Sequence, residues 1–156
     1  MNIQRMNVQP SGEPSPSTIM QTLDHVGAVG VRAALRIFLV EDSPEVRDLL
    51  LDYLHVAGEI EIVGFADTED DAVAAIVDEP VDAVIIDLKL RIGSGMTVIQ
   101  RLRAARQVPA PTLIVFTNHP LQAIRERAMK LGADYFFDKS IDYEKIRSTL
   151  RTLRDK

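Results

Sequence analysis

Five short apolar runs alternate with five segments of helical pattern between residues 36 and 156. In chain order the runs read RIFLVE, EIEIVGFA, VDAVIID, PTLIVFT and DYFFDK. The interior runs are continuously apolar rather than alternating, which is typical of strands in a parallel sheet covered by helices on both faces. This strict alternation predicts an α/β fold with a doubly wound, five-stranded parallel sheet.

Start and end signals for helices lie between the apolar runs. A side-chain oxygen before a helix accepts a free backbone N–H, proline suits the first helical turn, and glycine suits the residue after the last turn. Each helix is therefore expected to lie between two strands. The residues predicted to give these signals are Ser43, Pro44 and Gly58 for the first helix, Thr68 for the second, Pro120 and Gly132 for the fourth, and Asp142 for the fifth.

The first 35 residues differ in composition from the rest. The stretch QPSGEPSPST is rich in Pro, Ser and Gly, which predicts flexibility, and the glycines of TIMQTLDHVGAVGVRAAL disfavour a stable helix. We expect residues 1–35 to be a flexible N-terminal extension and residues 36–156 to form one domain. Two interpretations of the extension stay open: a contribution to dimerisation, or a translation start at Met20 rather than Met1.

Composition excludes several kinds of site. The 156 residues include no cysteine, which rules out disulfides, zinc–thiolate centres and thiol nucleophiles. No apolar stretch approaches the roughly 20 residues of a membrane span, and no signal-peptide core follows Met1, so we expect a cytoplasmic protein without membrane contact. No basic segment with interleaved aromatic residues supports nucleic-acid binding.

Charge is distributed unevenly along the chain, whose formal net charge is −5. Residues 36–87 contain 2 basic and 15 acidic residues, a net charge of −13, whereas residues 88–156 contain 14 basic and 6 acidic residues, a net charge of +8. An acidic pole for a cation and a basic pole for an acidic partner would give this pattern, and so would two solvated faces. The charge pattern alone does not decide between them.

Polar side chains follow the apolar runs at the carboxyl edge of the predicted sheet, where doubly wound folds bind ligands. They are Glu41 and Asp42 after the first run, Asp87 after the third, Thr117 at the end of the fourth and Lys139 after the fifth. Clustered carboxylates repel one another without a cation, and they supply the hard oxygen ligands that Mg²⁺ prefers. The set predicts a carboxylate that accepts a phosphoryl group, with Mg²⁺ and Lys139 offsetting negative charge.

Four segments, FLVEDSPEVRDLL, VDAVIIDLKLRIGSGMTVIQRLR, LIVFTN and DYFFDKS, resemble the receiver domain of two-component response regulators, over residues 36 to 155. The resemblance implies a flavodoxin-like fold of the receiver type and phosphoryl transfer from a histidine kinase or histidine phosphotransfer protein. It implies that Asp87 is the phosphoacceptor and that Lys139 contacts the phosphoryl group. The implied magnesium ligands are Asp42, Asp87 and the backbone carbonyl of Lys89, with Glu41 contacting the ion through water. Thr117 is the implied switch hydroxyl and Phe136 the implied switch aromatic residue.

Two further positions flank the phosphoryl site in this family, two residues beyond the acceptor and two beyond the switch threonine. Here they are Lys89 and His119. We hypothesise that their side chains tune the lifetime of the acyl phosphate by steering or blocking the attacking water. For His119, a plain surface histidine at a helix start is the alternative.

Three positions depart from the family pattern. Ser140 stands where most receivers have a proline after the lysine. Because a cis bond before a non-proline costs ~2.5–4 kcal/mol, we predict a trans Lys139–Ser140 bond, or else local strain. Arg91 replaces a proline in the loop after Asp87, from which we expect a more mobile loop. Asn118 replaces a very small residue, where it either narrows access to the site or adds a hydrogen-bond donor.

The resemblance implies a signalling switch rather than a turnover enzyme, acting on a downstream protein through the surface of the fourth helix, fifth strand and fifth helix. The given sequence ends with the last predicted helix, from which we expect a stand-alone receiver without an effector domain. A haloacid-dehalogenase-like phosphatase would need a second aspartate two residues after its first-strand aspartate, which VEDSPEV lacks. A flavin-binding protein would need a Ser/Thr/Gly phosphate loop where EDSPE stands, and a receiver used only for docking is disfavoured because the chemical residues are present.

Overall fold

The structure, a computed structural model, describes residues 33–156. The predicted extension lies outside the described residues up to residue 32, so its flexibility, its part in dimerisation and a start at Met20 stay predictions. Strands and helices alternate strictly from residue 35 onward. They are β1 (Leu35–Val40), α1 (Pro44–Leu54), β2 (Ile60–Ala66), α2 (Glu69–Asp78), β3 (Ala83–Ile86), α3 (Gly95–Ala104), β4 (Thr112–Thr117), α4 (Gln122–Leu131), β5 (Tyr135–Asp138) and α5 (Tyr143–Arg154).

The five strands form one parallel sheet in the order β2-β1-β3-β4-β5. This confirms the predicted doubly wound, flavodoxin-like architecture. Val40 of β1 pairs with Ile86 of β3, and Thr117 of β4 pairs with Asp138 of β5. The residues that follow β1, β3 and β5 therefore leave the sheet at neighbouring points of its carboxyl edge.

Side chains on the two faces of the sheet bury two apolar layers. Phe38 and Val40 point toward the layer formed with α2, α3 and α4, whereas Ile37 and Leu39 point toward the layer formed with α1 and α5. All four of the β3 side chains are buried, as expected for a central strand covered on both faces. Fully burying one aliphatic side chain is worth about 1.5–3 kcal/mol, so this packing fixes where the strand ends lie.

Four of the predicted helix signals are confirmed. Ser43 accepts a hydrogen bond from the Val46 N–H at 3.3 Å, with the predicted proline at the first position of α1. Thr68 accepts one from the Asp71 N–H, also at 3.3 Å. Gly132 follows α4 with φ of 113°, a left-handed conformation that glycine adopts without steric cost. No helix within residues 33–156 has both the length and the apolar character needed to cross a membrane.

Two predicted helix boundaries are wrong. Helix α1 ends at Leu54, and Gly58 lies in the turn before β2 with φ of 76° rather than at the helix end. This turn reverses the chain over few residues, which explains the glycine. Helix α4 begins at Gln122, two residues after Pro120, and no side chain caps it. Residues 118–121 therefore form the connection between β4 and α4.

The turn between β5 and α5 differs from the prediction in one respect. Asp142 does not cap α5 through its side chain; instead it accepts the Asp138 N–H at 2.9 Å. Asp138 in turn accepts the Ser140 N–H at 2.8 Å. The Lys139–Ser140 bond is trans, as predicted, and these bonds hold the turn that carries Lys139.

Candidate functional site

The carboxyl edge of the sheet brings the predicted acids together. Asp87 follows β3, and its N–H donates to the Val40 carbonyl at 2.8 Å, which sets it beside the end of β1 where Glu41 and Asp42 lie. One carboxylate oxygen from each of these three residues lies within 4.8 Å of the others. Strand pairing, rather than closeness in sequence, therefore assembles the acidic cluster.

Lys139 is the buried cation of this cluster. Its N–H donates to the Thr117 carbonyl at 3.0 Å, which places it after β5 and directly beside β4. Its ammonium group pairs with Glu41 and lies 3.2 Å from Oδ2 of Asp87. The side chain of Lys139 is 6% exposed, and those of Glu41 and Asp87 are 4% and 9% exposed. One cation thus serves two buried carboxylates.

Charge within the cluster is incompletely balanced. Burial raises the pKa of Glu41, and the hydrogen bond and charge of Lys139 oppose that rise. The acids Glu41, Asp42 and Asp87 together with Lys139 carry a formal charge of −2 when all four are ionised. Buried like charges repel strongly, so a divalent cation is the matching counter-ion.

The donor set fits Mg²⁺. Three carboxylates supply hard oxygen ligands, and Mg²⁺ takes one or two carboxylates with waters and a phosphate oxygen completing its shell. A cavity of about 350 Å³ opens at these acids, with Lys89 also on its wall. Asp42 and Asp87 would hold the ion, and the Lys89 backbone carbonyl stays the predicted further ligand.

The predicted switch residues lie on neighbouring strands, Thr117 at the end of β4 and Phe136 in β5. Thr117 is fully buried, and its Oγ1 accepts the His119 N–H at 3.2 Å. Phe136 is buried at 5% exposure, with the Arg125 guanidinium 5.2 Å from its ring centroid. Arg125 also donates to the Phe136 carbonyl at 3.2 and 3.3 Å. Both residues are thus linked to α4 or to the loop before it.

The predicted tuning residues, Lys89 and His119, are exposed and flank the cavity mouth. Both also line a neighbouring groove of about 590 Å³ between the loop after β3 and helix α4. The acidic cavity and this groove therefore share these two residues. Asn118 is exposed on the cavity wall beside them.

The basic residues of α5 are partly engaged within the domain. Lys145 pairs with Asp142 at 2.7 Å, and the Arg147 guanidinium lies 5.0 Å from the ring centroid of Tyr53. Arg154 pairs with Glu59 at 2.8 Å. These contacts give three of the basic side chains structural roles, so the basic character of α5 alone is weak support for an acidic partner.

Sequence reasoning missed the contacts of the loop after Asp87. Arg91, which replaces the family proline, pairs with Asp67 at 3.2 Å. Glu69 accepts the Ser94 N–H at 3.1 Å and pairs with Arg101 at 3.2 Å. These partners lie 24 to 32 residues apart, and no local pattern marks such a pair.

Fold and site together define a class of protein. A doubly wound sheet that presents three acids, a buried lysine and a buried threonine at one edge is the arrangement of a receiver domain. Residues 37–151 match the family model described as the response regulator receiver domain. The chain therefore belongs to the response regulator receiver family.

One similar sequence is the protein-glutamate methylesterase/protein-glutamine glutaminase 1 of Carboxydothermus hydrogenoformans, 32% identical over 116 residues. The match covers 74% of this chain and 34% of that protein, so the chain spans about a third of the length of this relative.

Two solved structures share the fold. The receiver domain of the putative response regulator NarL from Mycobacterium tuberculosis has a TM-score of 0.71 at 21% identity, covering 79% of this chain and 98% of that one. The receiver domain of a Pseudomonas aeruginosa sensor histidine kinase, solved with magnesium coordinated in its active-site cleft, has a TM-score of 0.68 at 22% identity, covering 80% and 100%. At these identities the likeness extends to the fold alone.

Proposed function

We propose that the chain accepts a phosphoryl group on Asp87, from a phosphohistidine of a histidine kinase or histidine phosphotransfer protein, with Mg²⁺ bound at Asp42 and Asp87. The carrying observation is the pair formed by Asp87 and Lys139, 3.2 Å apart, inside a buried acidic cluster. Magnesium in the active-site cleft of the Pseudomonas aeruginosa receiver domain supports the choice of ion.

The residues divide the chemistry between them. An Oδ atom of Asp87 bonds to phosphorus as the phosphorus–nitrogen bond to the donor histidine breaks, and the bonding pair leaves with the imidazole. Lys139 pairs with Asp87 before transfer and binds an oxygen of the phosphoryl group after transfer. Bound Mg²⁺ supplies positive charge to the phosphoryl oxygens. Glu41 keeps Lys139 in place through their ion pair and would contact the ion through water.

The signal then passes to the output surface, defined as α4, β5 and α5. In the unphosphorylated chain the Thr117 hydroxyl oxygen accepts a hydrogen bond from the His119 N–H. After phosphorylation the Thr117 hydroxyl donates to a phosphoryl oxygen and moves away from the His119 N–H. This releases the start of the loop to α4, while Arg125 ties α4 to Phe136 on β5. Phosphorylation thereby shifts the population between two arrangements of this surface, which differ in their contacts to the phosphoryl group.

The chain acts as a signalling switch that is phosphorylated and dephosphorylated, and its downstream partner is a protein.

Phosphotransfer tests the proposal. In the presence of Mg²⁺, the chain is mixed with a histidine phosphotransfer protein that carries a labelled phosphoryl group. Label should move to the wild-type chain and not to Asp87→Asn. Continuous release of free phosphate from many small phosphoesters would favour a phosphatase instead, and no transfer from either phosphohistidine or small phosphodonors would favour a docking module.

A further inference from the structure

The loop after the phosphoacceptor, residues 88–94, is attached to the turn before helix α2. The Glu69 N–H donates to the Ile92 carbonyl at 3.1 Å, and Thr68 and Ile92 form an isolated parallel bridge. The Arg91 side chain pairs with Asp67 at 3.2 Å. Three consecutive residues between β2 and the first turn of α2, Asp67, Thr68 and Glu69, therefore hold residues 91 and 92 of this loop.

Glu69 adds a side-chain attachment that is more buried than the pair of Arg91 and Asp67. Its side chain is 19% exposed. One carboxylate oxygen accepts the Ser94 N–H at 3.1 Å, and the other pairs with Arg101 of α3 at 3.2 Å. A Cβ atom on Gly93 would lie 2.3 Å from the Glu69 Cβ, so the backbone approaches Glu69 closely enough to exclude any side chain there.

The other side of the loop contacts the phosphoacceptor strand. Ser94 forms an antiparallel bridge with Lys89, and the Gly95 N–H donates to the Leu88 carbonyl at 3.0 Å. A Cβ on Gly95 would lie 2.2 Å from the Asp87 carbonyl oxygen. Ser94 and Gly95 thus link Glu69 to the backbone of residues 87–89.

We propose that Glu69 is a positioning residue for the metal site: by holding the Ser94 N–H, it holds the backbone of residues 87–89, which carries two predicted magnesium ligands, the Asp87 carboxylate and the Lys89 carbonyl. This inference rests on the proposed function. Mg²⁺ demands near-ideal octahedral geometry, and residues that orient metal ligands commonly change metal affinity 10–100-fold when removed. The Glu69 carboxylate acts through Ser94 and does not contact the ion.

The test compares Mg²⁺ affinity, measured by isothermal titration calorimetry with Mg²⁺ alone on the unphosphorylated chain. Glu69→Ala should weaken Mg²⁺ binding about tenfold, whereas Glu69→Gln, which keeps an oxygen for the Ser94 N–H, should stay within about threefold of wild type. The Glu69→Asp variant keeps the negative charge, but its shorter side chain moves the carboxylate oxygen away from the Ser94 N–H. This variant should therefore also bind Mg²⁺ more weakly than wild type. It serves as the second variant if Glu69→Ala does not fold.

Asp70→Ala is the matched control. Asp70 pairs with the same arginine, Arg101, at 2.6 Å, but its side chain is 87% exposed and, within the described residues, it has no hydrogen bond to the loop. Its removal should leave Mg²⁺ affinity within about twofold of wild type. The inference is overturned if Glu69→Ala and Glu69→Asp, folded, bind Mg²⁺ as wild type does, or if Asp70→Ala or Glu69→Gln loses as much affinity as Glu69→Ala.

The same variants separate this inference from the proposed function. If wild type is phosphorylated on Asp87 while Mg²⁺ affinity is insensitive to Glu69, the inference fails and the proposed function stands. If wild type binds Mg²⁺ in a Glu69-dependent manner but accepts no phosphoryl group, the proposed function fails and the positioning role stands.

Discussion

The Nζ atom of Lys139 lies 3.2 Å from Oδ2 of Asp87 and also donates to Glu41. All three side chains are nearly inaccessible to solvent. A buried pair that loses one partner leaves an uncompensated charge, which is strongly unfavourable. Lys139 is therefore both a structural counter-ion for two acids and a competitor of any cation that enters the cluster.

Replacing Lys139 by Met should separate these two effects. Without Mg²⁺ the free energy of unfolding at neutral pH should fall by about 3 kcal/mol, because Glu41 and Asp87 lose their cation. Mg²⁺ should bind more tightly than to wild type, since its competitor is gone, yet phosphorylation should slow. Urea titrations with and without Mg²⁺, and calorimetry, measure the first two quantities. Lys130→Met, at an exposed site of α4, controls for loss of one charge; weaker Mg²⁺ binding in Lys139→Met would contradict this account.

Thr117→Val should uncouple phosphorylation from the response of α4. Valine has nearly the same shape but cannot bond to a phosphoryl oxygen or accept the His119 N–H. Asp87 should still be phosphorylated, but backbone NMR signals of α4 and of Phe136 should shift less than in wild type on phosphorylation. Thr117→Ser keeps the hydroxyl and should behave as wild type. Equal shifts in the valine variant would show that the hydroxyl does not carry the signal.

The double variant Lys89→Ala, His119→Ala should lose its phosphoryl group several times faster than wild type. Both side chains flank the cavity mouth, and their removal opens a path for water to the acyl phosphate. The decay is followed by mass spectrometry after the phosphodonor is removed. Arg127→Ala, in the groove but outside the acidic cavity, is the control. An unchanged lifetime in the double variant would leave Lys89 and His119 without this role.

Asp142 should contribute stability that disappears in acid. The backbone N–H of Asp138, and after it Lys145, lower the pKa of Asp142 below its ordinary value of 3.8. A lowered folded-state pKa stabilises the fold above the unfolded-state value and loses that effect as the pH falls through the folded-state value. Asp142→Ala should therefore be less stable than wild type by about 1 kcal/mol at pH 7, and the difference should shrink below pH 3.8. A difference that stays constant from pH 7 to below 3.8 would contradict this.

The fold and the acidic cluster were predictable because their signals are local. Each strand is a continuous apolar run, and each acid follows directly after one, so parallel pairing alone brings Glu41, Asp42 and Asp87 to one edge. The caps at Ser43 and Thr68 were predictable for the same reason. The identities of these residues and their positions relative to the strands are enough to predict where the acidic cluster and the caps lie.

What the sequence did not reveal depends on pairs far apart in the chain. Glu69 reads as an ordinary acid in the first turn of a helix, and its bond to Ser94, 25 residues away, exists only once α2 and α3 pack side by side. No local pattern in the sequence predicts that the Arg125 guanidinium packs over the Phe136 ring. The boundaries at Gly58 and Pro120 failed because a glycine or a proline marks a turn as readily as a helix end.

The most direct test of the central claim is the intact mass of the chain after incubation with Mg²⁺ and acetyl phosphate. Wild type should gain the mass of one phosphoryl group, and Asp87→Asn should gain none, while Asp48→Asn, an exposed aspartate of α1, should be modified like wild type. Omitting Mg²⁺ should abolish the gain. An unmodified wild-type chain, or equal modification of Asp87→Asn, would contradict the claim that Asp87 is the phosphoacceptor.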